Sequence, residues 1–120
     1  MPTSERHREL IVTELAAARE AGEAGNDGRK RVCARRAAGA ALTWFATVHP
    51  RPSWPPDALR QLRAAAGEGT FPAAVRMAAE RLAARIAEDF SYARGFDPID
   101  DARIVIDHII TVMEGADGAR

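Results

Sequence analysis

Apolar residues recur every three or four positions in five stretches of this chain, a period typical of amphipathic helices. The stretches cover approximately residues 4–21, 28–48, 57–66, 72–92 and 97–115. None of them alternates apolar and polar residues with a period of two, so no strand is predicted. The pattern therefore predicts an all-α fold, a compact four-to-five-helix up-and-down bundle, with residues 1–120 forming a single helical domain.

Turn-forming residues separate these stretches. Glycines break the helical pattern at 22–28 and 67–70, and the prolines of 49–56 predict an extended connector that Trp54 pins to the body. Asn26 or Asp27 is predicted to cap the second helix. The clearest start signal is Asp97-Pro98, a capping carboxylate followed by proline at the first helical position.

The inner faces of the helices predict the core. Many of their residues are alanines, which allow helices to approach closely, and a few large side chains fill the remaining space. We expect five of these to be buried together: Trp44, Leu82, Ile86, Ile106 and Ile109. Cys33 lies on the inner face of the second helix and is interpreted as a small buried hydrophobe.

Composition excludes several classes of function. Seventeen basic and seventeen acidic residues cancel, so the chain as a whole has no attraction to nucleic acid or to a membrane. One cysteine cannot form an internal disulfide, and no Cys/His spacing suggests zinc. No signal peptide or membrane-spanning run is apparent. We therefore expect a cytoplasmic protein without metal, cofactor or membrane partner.

Arg103 and His108 form the first candidate site. An arginine stabilises phosphate charge and a histidine transfers protons near neutral pH, so the pair suits RNA cleavage. On one helix, however, five residues turn about 140° and rise about 7.5 Å, which separates the two side chains. The alternative is an ordinary surface, with Arg103 paired to Asp107 at i+4.

A second candidate is the basic run at the start of the second helix, where a nucleic-acid contact would involve Arg29, Lys30, Arg31 and Arg35. Cations oppose the helix dipole at this end, which favours a phosphate or RNA ligand. The alternative is a solvated helix flank that also includes Arg36.

The order of the helices resembles that of the HEPN superfamily of helical bundles. The resemblance rests on the alanine-rich second helix RRAAGAAL (35–42), on the short DALRQL helix (57–62), and on a last helix that begins after a proline and carries Ala102 and the run 104–110. It implies a homodimer. Many members are RNA-cleaving toxins that use an arginine and a histidine a few residues apart, as Arg103 and His108 are; Ile104 departs from the polar residue that often follows the arginine. Other members act as partners of nucleotidyltransferases.

Ile104 lies outside the apolar face of the last helix, on the side of His108 and Thr111. A second copy of the chain covering this side would bury these three residues, which are therefore the expected dimer interface. The leading hypothesis is a non-catalytic, homodimeric, HEPN-like interaction protein of toxin–antitoxin type. The alternative is a metal-independent ribonuclease that uses Arg103 and His108 across the dimer cleft, and a small ligand-binding or regulatory protein remains open.

Overall fold

The structure, a computed structural model, describes residues 3–50, 57–84 and 91–118. These residues form five α-helices and no strand, which confirms the predicted all-α bundle. The helices are α1 (Thr3–Glu23), α2 (Asp27–Val48), α3 (Ala58–Ala66), α4 (Ala73–Ala83) and α5 (Pro98–Gly118).

Helix α2 lies at the centre of the bundle and packs against each of the other four helices. Its buried face consists mostly of small residues, closed at the C-terminal end by Trp44 and Phe45. Small side chains let neighbouring backbones approach, and one such close approach is at Gly39. A Cβ atom added there would lie 2.7 Å from the Cβ of Ala58, so α3 crosses α2 at a position that only glycine fits without movement.

The contacts of α2 show the direction of each neighbour. α1 is antiparallel to α2, because His7 near its start stacks on Trp44 with ring centroids 6.4 Å apart. α3 runs in the same direction as α2, since Ala58 lies against Gly39 and Gln61 binds Thr43 one turn later.

Helices α4 and α5 run in opposite directions to each other. The start of α5 lies beside the start of α2, where Lys30 reaches Asp97 at 2.7 Å. At the other end of α2, Phe71 contacts the ring of Phe45 just before α4 begins. α4 and α5 therefore pack side by side and antiparallel against one side of α2.

The helix starts agree with the capping residues in the sequence. The side chain of Asn26 accepts a hydrogen bond from the N–H of Arg29 at 3.1 Å, as predicted for the start of α2. Asp57 caps α3 through the N–H of Arg60, and Asp97 accepts the N–H of Ile99 at 2.8 Å.

The predicted length of the fourth helix is wrong. The pattern predicted helix from Pro72 to Tyr92, but α4 ends at Ala83, Ala84 is extended, and Tyr92 lies in a non-helical segment. The reason is tertiary. The guanidinium of Arg35 binds the carbonyl oxygens of Leu82 and Ala84 at 2.5 and 2.9 Å, taking acceptors that a longer helix would use.

The predicted core is confirmed where the structure describes it. Trp44, Leu82, Ile106 and Ile109 are buried in one apolar cluster to which all five helices contribute. Cys33 is buried in the same cluster, as interpreted from its position on α2. The predicted core residue Ile86 and the connector residue Trp54 lie outside the described residues.

Candidate functional site

The exposed face of α5 holds the residues that the sequence singled out. Arg103, Ile104 and Thr111 are exposed, and His108 is half-buried. Ile104 is 36% exposed, while Val105 and Ile106 beside it are buried in the core. The face therefore contains an isoleucine that is partly open to solvent, outside the buried core.

His108 is fixed by an aromatic contact rather than by an ion pair. Its ring meets Phe71 edge to face, with centroids 5.2 Å apart, and Phe71 in turn contacts Phe45 at 5.3 Å. Burial lowers the pKa of the His108 imidazole below its usual range. The histidine is therefore a neutral, oriented ring at neutral pH.

Arg103 and Asp107 do not form the ion pair expected from their i, i+4 spacing. Among the described residues, neither side chain takes part in a salt bridge or hydrogen bond, and Asp107 contributes only its backbone oxygen, which accepts the Thr111 hydroxyl at 2.9 Å. Arg103 and His108 also point in directions about 140° apart on the same helix. The structure thus leaves Arg103 and Asp107 as two separate charges on the surface of α5.

Helix α4 adds an apolar residue to this surface. Arg81 binds Asp101 at one end of the helix pair, and Phe71 contacts His108 at the other, which defines the antiparallel register of α4 and α5. In that register Met77, one turn before Arg81, lies level with Ile104, one turn after Asp101. Met77 is 54% exposed. We call Met77, Ile104 and His108 the α4/α5 patch.

The sequence did not identify Met77, because its level relative to Ile104 depends on how α4 and α5 pack. It also missed Asp101, which is 1% exposed and receives two hydrogen bonds from Arg81, at 2.9 and 2.8 Å, and one from the Tyr92 hydroxyl at 2.6 Å. A signal for Asp101 was available. It precedes the buried residues Val105 and Ile109 by four and eight positions, so the carboxylate shares their inward stripe and needs a buried partner.

This carboxylate stabilises its neighbours in definite protonation states. The hydrogen bond to Asp101 raises the pKa of the Arg81 guanidinium, and burial together with the bond to Asp101 raises the pKa of the Tyr92 hydroxyl far above its usual range. Tyr92 is thus a neutral donor. The ring of Phe96 covers Arg81, with the guanidinium carbon 3.8 Å from the ring centroid.

The basic run of α2 takes part mainly in internal contacts. Lys30 pairs with Asp97 at 2.7 Å, Arg31 is buried with its guanidinium carbon 5.8 Å from the centroid of Tyr92, and Arg35 binds the end of α4. Arg29 is exposed. Burial and the nearby charges of Arg31 and Arg63 lower the pKa of Arg35 despite the opposing effect of Tyr92. The alternative of a solvated flank is therefore wrong for Arg31, which is buried, and for Arg35, which is half-buried.

A cleft of about 200 Å³ opens where this basic run meets the segment before α5. Its walls combine both signs of charge with two aromatic rings; the lining residues are Asp27, Lys30, Arg31, Ser91, Tyr92, Phe96, Asp97 and Pro98. Because Lys30 and Asp97 neutralise each other, the cleft lacks the cationic excess of a phosphate site.

The described residues contain neither a metal-binding cluster nor a membrane-spanning helix. In the three described ranges, no group of three or more His, Cys, Asp or Glu residues is placed to hold a metal ion. None of the described helices combines the length and apolar character needed to cross a bilayer. Comparison with protein-family models, curated proteins and solved structures produced no match to this chain.

Proposed function

We propose that the protein is a HEPN-like helical interaction protein that forms a homodimer through the α4/α5 patch. One observation carries this proposal: Met77 and Ile104, both exposed, lie level with each other on adjacent antiparallel helices. Single exposed apolar residues are common on protein surfaces, but neighbouring ones that form a patch are typical of interaction sites.

A second copy is the occupant that this surface favours. A two-fold interface doubles every contact, because each chain contributes the same residues. Full burial of a side chain of the size of Met or Ile is worth about 1.5–3 kcal/mol, and covering Ile104 (36% exposed) and Met77 (54% exposed) would contribute only part of that for each. Ile104, His108 and Thr111 form the α5 part of this proposed interface, and Met77 is added to them.

Sedimentation equilibrium at tens of micromolar tests the dimer. We expect a wild-type dimer, and we expect Ile104→Glu to be monomeric because it places a charge at the centre of the patch. Val32→Glu is the matched control, since Val32 is 42% exposed and lies on α2 one turn before the exposed Arg36. A monomeric wild-type protein, or an Ile104→Glu variant that dimerises as the wild type does, would contradict the proposal.

The resemblance to HEPN proteins also suggests what the dimer serves. Within this proposal, it acts as a toxin–antitoxin-type component with a nucleotidyltransferase as partner. If the neighbouring genes include one for a nucleotidyltransferase, co-expression of the chain with that protein, followed by affinity purification, tests this step. We expect the wild-type chain to purify in a complex with this nucleotidyltransferase. It should form no complex with an unrelated nucleotidyltransferase.

A metal-independent ribonuclease is the second candidate, favoured by the state of His108. Burial lowers the pKa of this imidazole, and the neutral ring is the form that accepts a proton at neutral pH. Arg103 would have to come from the other copy. For this candidate, we expect the wild type to degrade RNA and both Arg103→Ala and His108→Ala to lose that activity. A wild type without activity would contradict the ribonuclease candidate but not the dimer.

A further inference from the structure

We infer that two copies of the chain pack α5 against α5 in antiparallel orientation, with Arg103 of each copy paired to Asp107 of the other. This inference rests on the proposed homodimer and adds its orientation and register. It is carried by two exposed, oppositely charged side chains that make no ion pair with each other or with any described residue.

The positions of these charges around α5 are the first step. Viewed down the helix from Ile104, Arg103 and Asp107 are turned by about 100° and 60° to one side. His108 is turned by about 40° to the opposite side, towards Phe71 just before the start of α4. The face of α5 therefore has a charged flank and an apolar flank, with Ile104 between them.

Two-fold symmetry restricts how such a face can meet itself. When the two α5 helices are antiparallel, the two-fold axis lies in the interface, perpendicular to both helices. Each flank of one copy then faces the same flank of the other. When they are parallel, the axis lies along them, and the charged flank of each copy faces the apolar flank of its mate. The parallel arrangement would desolvate Arg103 and Asp107 against Met77, which is costly for unpaired charges.

The charges then select a register within the antiparallel arrangement. An axis at the level of Val105 exchanges positions 103 and 107, so the Arg103–Asp107 pair forms twice. Ile104 lies only about 1.5 Å along the helix from this axis and meets Ile104 of the other copy. The same register thus pairs the charges of the charged flank and brings the two Ile104 side chains together.

This arrangement differs from the composite ribonuclease site. Arg103 and His108 are on opposite flanks of α5, and antiparallel packing keeps opposite flanks apart. Arg103 therefore meets Asp107 of the other copy instead of His108. The register and the ribonuclease candidate consequently make different predictions for variants at position 107.

Charge reversal tests the register. In Arg103→Asp alone, or in Asp107→Arg alone, positions 103 and 107 carry charges of the same sign. The like charges of one copy then face those of the other copy across the two-fold axis. We expect each variant to raise the dimer dissociation constant about tenfold or more, because both weak ion pairs become repulsive. The double variant Arg103→Asp/Asp107→Arg restores both pairs and should dimerise within about threefold of wild type.

Mixing the two single variants is the sharper measurement. A heterodimer of Arg103→Asp with Asp107→Arg contains two opposite-charge pairs, so an equimolar mixture should form heterodimers, measured by native mass spectrometry. Arg36→Asp is the control for Arg103→Asp, because it makes the same change in net charge at an exposed site on α2. Circular dichroism checks that all variants are folded.

The outcomes separate this inference from the proposed dimer. If wild type dimerises and Ile104→Glu does not, the dimer stands. The register alone is overturned if Arg103→Asp and Asp107→Arg each dimerise as the wild type does. It is also overturned if the double variant does not regain dimerisation. A monomeric wild type overturns both.

Discussion

Arg81 and Asp101 join α4 to α5 through two hydrogen bonds of 2.9 and 2.8 Å, and the carboxylate is 1% exposed. The pair lies one helical turn from Met77 and from Ile104. Together with the contact of Phe71 on His108, it determines the register of the two helices. The ion pair therefore helps to define the register of the two helices that carry the surface proposed to bind a second copy.

Removing the buried carboxylate is expected to destabilise the fold. Breaking one side of a buried ion pair costs about 3–5 kcal/mol, and because 15% of the Arg81 side chain is exposed, we expect Asp101→Asn to lie near the lower end. Urea unfolding measures the loss. Asp100→Asn, at the exposed neighbouring position, is the control and should change stability little. A cost for Asp101→Asn below about 1 kcal/mol would be incompatible with this role.

Arg35 is expected to stabilise the C-terminal end of α4. Arg35→Met keeps the aliphatic stem but loses the bonds to the Leu82 and Ala84 carbonyls, and we expect it to cost about 1.5–3 kcal/mol. Amide hydrogen exchange should become faster in the last turn of α4. Arg36→Met removes an exposed arginine and should leave exchange unchanged. Equal exchange in both variants would mean that α4 ends without help from Arg35.

Gly39 is expected to be required at the crossing of α2 and α3. In Gly39→Ala the new Cβ would lie 2.7 Å from the Cβ and 3.2 Å from the Cα of Ala58, so α3 must move, at a cost of about 1–3 kcal/mol. Gly115→Ala is the matched control on α5, with no atom within 4 Å of the added Cβ. It should stabilise the helix by up to about 1 kcal/mol. The midpoint of chemical denaturation should therefore fall for Gly39→Ala and rise for Gly115→Ala.

The ion pair of Lys30 and Asp97 predicts a local pH dependence. Burial alone raises the pKa of Asp97, but the bonds from Lys30 and from the N–H of Ile99 outweigh it, so the pKa lies below its ordinary value of 3.8. A lowered carboxylate pKa stabilises the fold above about pH 4 and loses this contribution as pH falls through the folded-state value.

NMR titration of the Asp97 carboxyl measures this effect. We expect the pKa of Asp97 to be below 3.8 in the wild type and to rise in Lys30→Met, because the largest charge partner is removed. Arg29→Met removes an exposed cation from the same helix turn and should leave the titration unchanged. A Lys30→Met variant with an unchanged Asp97 pKa would show that the ion pair does not form in solution.

Local sequence was sufficient for most helix starts. Asn26, Asp57 and Asp97 act on N–H groups within three residues of themselves, so their caps depend only on the neighbouring chain. Burial of Cys33 and Ile109 likewise follows from the period of apolar residues. The end of α4 could not be obtained in this way, because the group that binds its last carbonyls is Arg35, 47 residues away from Leu82.

The candidate site likewise has features that follow from local sequence and features that depend on contacts between distant residues. The sequence by itself determined that Ile104 lies outside the apolar face of its helix, because that depends only on the 3.6-residue period. Only the tertiary structure decided that Met77 lies level with Ile104 on the adjacent helix, that Asp101 is buried on Arg81, and that Lys30, Arg31 and Arg35 contact distant parts of the chain. These features depend on which helices meet and in which register. Helix packing determines both, through contacts between residues far apart in the chain.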